Sequence, residues 1–394
     1  MFEKSIDKYG GINLNIVIAI DSLKGSLTSM DAGYAIAEGI KKAEPTANLT
    51  IRPLADGGEG TVEALVSGMN GTLHTVMVTG PLGDPVKCDY GIIENSKTAI
   101  IEMSGAAGIT LIPQQMRNPL HTTTYGVGEV IKDAISKGCR RFIVGIGGSA
   151  TNDGGIGMLQ ALGFDFLNAS GKQVSFGAKG LSELESISDE HVMSELKDCE
   201  FHIACDVTNT ICGDHGCSAV FGPQKGATPT MIMQMDKWLS WYAALSREKF
   251  PKANPKQAGT GAAGGLGFAF LTFTNAVLES GIKLVLDETK LEDYIKDADI
   301  VITGEGCLDG QTAMGKAPVG VARLAKRYKK TVIAFAGSVT KEAIECNQQG
   351  IDAFFPILRS IITLEEAMEP ETAKRNLSDT AEQVFRLIHI KEDI

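Results

Sequence analysis

Five stretches of this chain gather glycine, carboxylates, hydroxyls and lysine within a few residues of each other, a mixture suited to holding anions. "DSLKGS" (21–26) sets Asp21, Ser22, Lys24 and Ser26 around one glycine, ahead of a helix start. Amide groups and the helix dipole there favour a negative ligand. A capped surface loop explains it equally well, because it lacks the GxxxxGK[ST] spacing of a P-loop. "ADGGEGT" (55–61) brackets Gly57 and Gly58 between Asp56 and Glu59. These carboxylates suit Mg²⁺ or a hydroxylated substrate; alternatively Asp56 N-caps the following helix and Glu59 completes a capping box. "GGSATNDGG" (147–155) holds four glycines, more than a strand–helix turn needs. Gly147 and Gly148 permit close backbone approach, and Ser149, Thr151 and Asn152 can cradle phosphoryl or carboxylate oxygens. Asp153 beside them suits a metal ligand or a general base, or simply caps its helix.

The fourth group joins "CDVTNT" (205–210), where Asp206 ends a strand, to "FGPQKGAT" (221–228), which carries Gln224 and Lys225 in a Pro–Gly turn. Lys225 can neutralise a phosphate or a carboxylate, although a lone lysine in a turn is more commonly solvated. In "TGEGCLDGQTAMGK" (303–316), Gly304, Glu305 and Asp309 follow a strand and Lys316 opens a helix, a pattern suited to a nucleotide's cation or ribose. "GTGAAGGLG" (259–267) looks like a nucleotide loop, but tight helix packing accounts for it nearly as well. The six histidines stand apart, with neither an HExxH pattern nor a Ser–His–Asp arrangement. Carboxylates, lysines and glycines point to phosphoryl transfer rather than triad hydrolysis.

The elements that position these stretches follow from the apolar pattern. "LNIVIAID" (14–21) and "LTIRPLAD" (49–56) read as strands, with a Thr28-capped helix over 28–43 between them and another opening at "GEGTVEALVSGM". "TLHTVMVTG", "VKCDYGIIE" and "TAIIEMS" (72–104) lie too close together for crossover helices and predict an antiparallel meander. A helix near 123–138, the strand "RRFIVGI" (140–146), a helix at 154–162, the strand "FHIACDV" (201–207) and a long helix at 229–247 follow, then helical periodicity over 259–278. From 299 onward, strands "DIVITGEG", "TVIAFAGS" and "DAFFPIL" alternate with helices at 316–329, 340–349 and 372–389. The expected class is α/β: a discontinuous flavodoxin/Rossmann-like parallel-sheet domain (1–70 and 285–394) interrupted by an inserted mixed α/β domain (71–284). Ligands are expected beyond the carboxyl ends of the parallel strands, in a cleft between the two.

Composition sets the outer limits. The chain has 394 residues, 43% of them hydrophobic, and a net charge of −11. That charge argues against nucleic acid or an anionic membrane as partner, yet leaves room for a small anion held by a few local cations. Apolar runs are interrupted well before ~18 residues, so no transmembrane helix is expected. The start "MFEKSIDKYGGINLN" has no apolar signal core and reads as a loose extension. A cytoplasmic location is expected. Eight cysteines without a CxxC pair read as reduced packing residues.

In order along nearly the whole chain, "DSLKGS", "LADGGEGT", "IEMSGAAG", "RNPLHTTTYGVGE", "GIGGSATNDGG", "ACDVTN", "FGPQKGA", "GAAGG" and "TGEGCLDGQ" resemble the bacterial glycerate kinase family of the galactarate/glyoxylate-pathway type. The resemblance implies ATP-dependent phosphorylation of D-glycerate to 2-phosphoglycerate, releasing ADP, with Mg²⁺ as cofactor, in glycerate, glyoxylate and sugar-acid catabolism. It also implies two α/β domains. Under it, Asp206 would accept the substrate's hydroxyl proton, and Lys24 and Lys225 would balance anionic charge. Mg²⁺ would be drawn from Asp153, Asp206 and Glu305. The expected partners are D-glycerate and ATP, with a homodimer as the assembly to test. Cys307 stands where the family usually has Arg, and Thr210–Ile211 where it has Pro–Leu; if that Arg contacts a carboxylate or phosphate, either affinity is lower here or another cation, Lys24 or Arg117, substitutes. The alternatives are a kinase for another small hydroxy acid or one forming 3-phosphoglycerate, and, outside enzymes, a ligand-binding sensor. A dehydrogenase is disfavoured, because no strand–GxGxxG–helix with a following acidic strand end is present.

Overall fold

Alternating apolar strands and amphipathic helices at the two ends of the chain build one parallel sheet. The computed structural model describes residues 14–58 and 60–392. The N-terminal stretch read as a loose extension, and Glu59, lie outside the described residues, Leu14 and Asn15 excepted. The described residues divide into two compact units. The first comprises those up to Asp56, Ser67–Met69 and those from Val285 onward; the second comprises Gly57–Val66 and Asn70–Leu284.

In the first unit, β1 (Asn15–Ile18), β2 (Asn48–Ile51), β11 (Ile300–Leu308), β12 (Thr331–Val339) and β13 (Ala353–Pro356) form a five-stranded sheet in the order β13-β12-β11-β1-β2. Every pairing is parallel. The continuous apolar run of β1 is explained by burial on both faces, Ile16, Val17 and Ile18 being 4% exposed or less. The helix Ser29–Ala43 starts where Thr28 Oγ1 accepts from Asp31 N at 3.1 Å, and its buried Ala32, Ala35, Ile36 and Ile40 recur at helical spacing. Along that face it packs against the helix Pro370–Glu392, whose Leu377, Ala381 and Phe385 enter the same core. The strand order is that of flavodoxin-like sheets, which leave a crevice at the carboxyl ends where the order reverses, here between β1 and β11.

The second unit holds β3 (Thr72–Thr79), β4 (Pro85–Ile93), β5 (Thr98–Glu102), β6 (Arg141–Gly145), β7 (Asp165–Leu167), β8 (Ser186–Ser188), β9 (Glu200–Ala204) and β10 (Asn275–Glu279). Six of them form a mixed sheet in the order β10-β9-β6-β5-β4-β3. β3, β4 and β5 make the antiparallel meander, and β5, β6, β9 and β10 run parallel. Phe142, Phe201 and Phe270 stack in a core of its own. Three features depart from the sequence pattern. Residues 275–279 are strand, not helix, because Asn275–Glu279 registers along β9. The three-residue β7 and β8 form a separate hairpin too short to show periodicity. Within "GAAGG", Ala263, Gly264 and Gly265 have φ of 51°, 67° and 95°, so this run is a left-handed break before the helix proper. The chain passes into the second unit at Gly57, where Glu102 Oε1 accepts from Val62 N, in the first turn of the helix Thr61–Gly68, at 2.7 Å.

No helix among the described residues is long and apolar enough to cross a membrane. All eight cysteines are unpaired thiols.

Candidate active site

In the first unit the chemistry collects at the crevice predicted by strand order. Asp21 follows β1, its backbone N–H donating to Gly304 O at 2.9 Å. Gly304 is a buried position of the sheet. Lys24 reaches across the loop and donates to Asp56 Oδ2 at 3.0 Å, pairing the two charges. Glu305, near the end of β11, accepts from Thr312 Oγ1 at 2.6 Å. Asp309 N-caps the short turn Gly310–Ala313 through Thr312 N at 2.9 Å, with Lys316 Nζ at 3.9 Å. Ser22, Lys24, Ser26, Glu305, Asp309 and Lys316 are polar residues lining a cavity of about 360 Å³. Ser26 Oγ is buried there without a hydrogen-bond partner. Cys307 lines the same cavity, so the cations available where the family usually has Arg are Lys24 and Lys316.

The carboxylates of this crevice share one electrostatic problem. Burial, reinforced by the charges of Asp56 and Glu305, pushes Asp21 up to about 7 against the pull of Lys24 and the Ser22 N–H. Glu305 is also raised, by burial first and by Asp309, against Thr312, Lys316 and Lys24. For Lys24, burial disfavours the cation, but Asp56, Asp21 and Glu305 outweigh it and the pKa rises. Asp309 is buried in part, yet the Thr312 N–H and Lys316 win and hold it below its usual value. The crevice therefore carries more negative charge than its own lysines neutralise, and an added cation would find oxygen donors there.

In the second unit four parallel strands end level, with Glu102, Gly145, Ala204 and Glu279 in register. Three sequence stretches converge on those ends. A Cβ on Gly57 would lie 2.6 Å from Ala204 Cβ, and one on Gly147 would lie 3.1 Å from Gly58 Cα, so backbone approaches backbone where side chains cannot fit. Asp206, exposed after β9, accepts from Gly281 N through Oδ1 at 3.1 Å. Gly147 and Gly148 are exposed and Ser149 is 8% exposed.

Behind that rim the expectations are corrected. Asp153 is fully buried, and its oxygens accept from Thr124 N (2.9 Å), Thr124 Oγ1 (2.8 Å), Gly155 N (3.0 Å) and Gly157 N (3.4 Å). It fastens the loop from a fully buried position. Burial raises its pKa despite those four donors. Thr151 and Asn152 are likewise buried: Asn152 Nδ2 donates to Ser218 Oγ at 2.8 Å, while Thr151 Oγ1 and Asn152 Oδ1 have no partner among the described residues. Lys225 is not a solvated turn residue: it is 2% exposed, and Nζ donates to Ser149 Oγ and Thr151 O, both at 2.7 Å. Burial pushes its pKa down to about 8. Gln224 next to it is exposed. Sequence reasoning missed Glu102, a strand-end carboxylate in "IEMSGAAG" that holds the helix after Gly57–Gly58. Its signal was available, the same apolar-strand-then-acid pattern that marked Asp21 and Asp206.

Comparison with known proteins follows the same lines. The sequence model of the glycerate kinase family matches residues 16–389. The chain is 47% identical over 378 residues to a glycerate kinase of Haemophilus influenzae, across 96% of this chain and 100% of that protein. It is 45% identical over 372 residues to the glycerate 2-kinase of Escherichia coli, across 93% and 98% respectively. Among solved structures, a candidate glycerate kinase 2 from Salmonella typhimurium LT2 matches with a TM-score of 0.88 and 45% identity, over 97% of this chain and 100% of that one. Agreement of this extent, in sequence and in backbone, assigns the chain to the glycerate kinase family.

Proposed function

We propose that this enzyme transfers the γ-phosphoryl group of ATP to the 2-hydroxyl of D-glycerate, giving 2-phosphoglycerate and ADP. The observation that carries the reading is the crevice of the first unit, where Lys24 and Lys316 stand among Asp21, Asp56, Glu305 and Asp309 at the ends of parallel strands. Phosphoryl transfer asks for positioning and charge neutralisation more than for covalent chemistry, and this set supplies both. Lys24 and Lys316 attract the polyphosphate. Gly147, Gly148 and Ser149 present amides and a hydroxyl to an anion, with the Lys225 ammonium 2.7 Å behind Ser149 Oγ. Asp206, an exposed carboxylate after β9, takes the hydroxyl proton.

A magnesium ion fits the donor chemistry in a limited way. Among the described residues no three carboxylate, His or Cys groups converge on one point, and Asp153 is fully buried among four hydrogen-bond donors. Mg²⁺ bound with a nucleotide needs only one or two protein carboxylates, the remainder being phosphate and water. Glu305 would hold it, and bound there it would neutralise charge on the phosphates. A coupled assay for ADP release over a panel of small hydroxy acids tests the reading. D-glycerate is expected to be the best substrate; ligand binding without ADP release would support a sensor.

A further inference from the structure

The cavity of the first unit is lined by two kinds of residue, and the site described above uses only the polar ones. The rest are apolar: Leu23, Ile357, Leu364, Ala367, Met368 and Ala373 form a wall. Leu364 is 76% exposed and the neighbouring Leu358 46% exposed, apolar surface left open at the mouth. Isolated exposed leucines are ordinary, but here they rim a concave wall. One polar side chain interrupts that wall. Asn376, on the helix Pro370–Glu392, lines the cavity and is 7% exposed, and its side-chain amide forms no hydrogen bond among the described residues. Lining the cavity with no protein partner, this amide offers two donors and one acceptor to a ligand.

We propose that this apolar wall seats the purine base of the nucleotide, with Asn376 reading its edge. The inference rests on the kinase reading and names a subsite within it. The apolar wall adjoins the lysine loop: Met368 Cε sits so close to Gly25 that a Cβ there would meet it at 2.8 Å. A ligand in the cavity therefore meets apolar side chains and a lysine pair, the two surfaces that the base and the phosphates of a nucleotide need. Its volume of about 360 Å³ lies within the range of small-molecule pockets. Glycerate, small and charged, gains nothing from such a wall. The amide of Asn376 offers one acceptor and two donors side by side, matching the N6 donor and N7 acceptor of adenine; guanine presents two acceptors at that edge.

Three variants of the full-length protein test this: Ala367→Phe to fill the slot, Asn376→Leu to remove the reading group, and Leu364→Ala at the exposed rim. Calorimetric titration with ADP gives binding independently of turnover, and kinetics give KM for ATP, GTP and D-glycerate. Ala367→Phe is expected to weaken ADP at least tenfold with the KM for glycerate unchanged. Asn376→Leu is expected to lower the ATP-over-GTP preference in kcat/KM at least tenfold. Leu364→Ala is expected to weaken ADP about threefold with Tm unchanged, and it decides the matter if the core variants fail to fold. Unaltered ADP affinity, a change in glycerate KM in its place, or no ADP binding by the parent protein overturns the proposal. ADP binding lost on filling the slot, in a parent that phosphorylates no acid, would leave the base site standing while the kinase reading fell. Glycerate phosphorylation with ADP binding untouched by the variants would do the reverse.

Discussion

At the scale of single residues, Asp206 and Lys225 carry the sharpest expectations. Asp206→Asn keeps the shape and removes the proton acceptor, so turnover is expected to fall by at least a hundredfold, the usual contribution of general base catalysis. Tm is expected to hold, since the side chain is exposed; turnover close to that of the parent would remove Asp206 from the mechanism. Lys225→Met leaves Ser149 Oγ and Thr151 O without their buried donor, which costs about 1–3 kcal/mol of stability. It should also raise the KM for the anion held at Gly147–Ser149. In the parent protein this lysine is depressed to about 8, so the cation is present below that pH and lost above it. Anion KM is thus expected to climb above pH 8, and that rise should be missing from the Met variant. The burial penalty of the cation acts below about 8 and is relieved between there and the free-lysine value. Asp21 has the opposite sign. Its folded pKa of about 7 exceeds the unfolded 3.8, so protonation stabilises the fold at low pH and that gain disappears as pH rises through 7. In the ligand-free protein, Asp21→Asn is expected to flatten the loss of stability between pH 5 and 8, a difference of a few kcal/mol, read as Tm against pH. Lys24, Asp56, Glu305 and Asp206 were legible in the sequence because glycine loops after apolar runs mark strand ends. The inward turn of Thr151, Asn152, Asp153 and Lys225 was not, since a polar loop has the same composition whether it faces a ligand or packs into a core.

At the scale of elements, the glycine-rich loops act by letting backbones touch. Gly264 has φ +67°, and a Cβ there would lie 2.1 Å from Thr151 O. Gly264→Ala therefore adds strain in the left-handed region to a backbone clash, and about 2–4 kcal/mol of destabilisation is expected. Urea unfolding measures it, and a loss below about 0.5 kcal/mol would mean that the loop packing is looser than described. The terminal βα alternation and the β3–β4–β5 meander were legible because both follow a hydrophobic period. The short β7–β8 hairpin was not, having too few residues to show one. The β10 strand reads locally as a continuation of the apolar helix before it; only its register along β9 makes it a strand.

At the scale of the whole molecule, a chain of net charge −11 would bind anions only through local devices, and each unit offers a candidate. In the first, Lys24 and Lys316 stand within an acidic crevice; in the second, a glycine loop is backed by a buried ammonium. Because that crevice holds unneutralised carboxylates, chelation of divalent ions is expected to abolish turnover, and Mg²⁺ should restore it. The discontinuity of the parallel-sheet unit was visible in the sequence as βα alternation that stops at the meander and resumes near 285. The central claim meets its most direct test in one measurement: the purified chain with ATP, Mg²⁺ and D-glycerate, its products followed by ³¹P NMR. The account predicts stoichiometric ADP and a single new resonance from phosphate on the 2-hydroxyl. A phosphate on the 3-hydroxyl, or no phosphorylated acid at all, would contradict it.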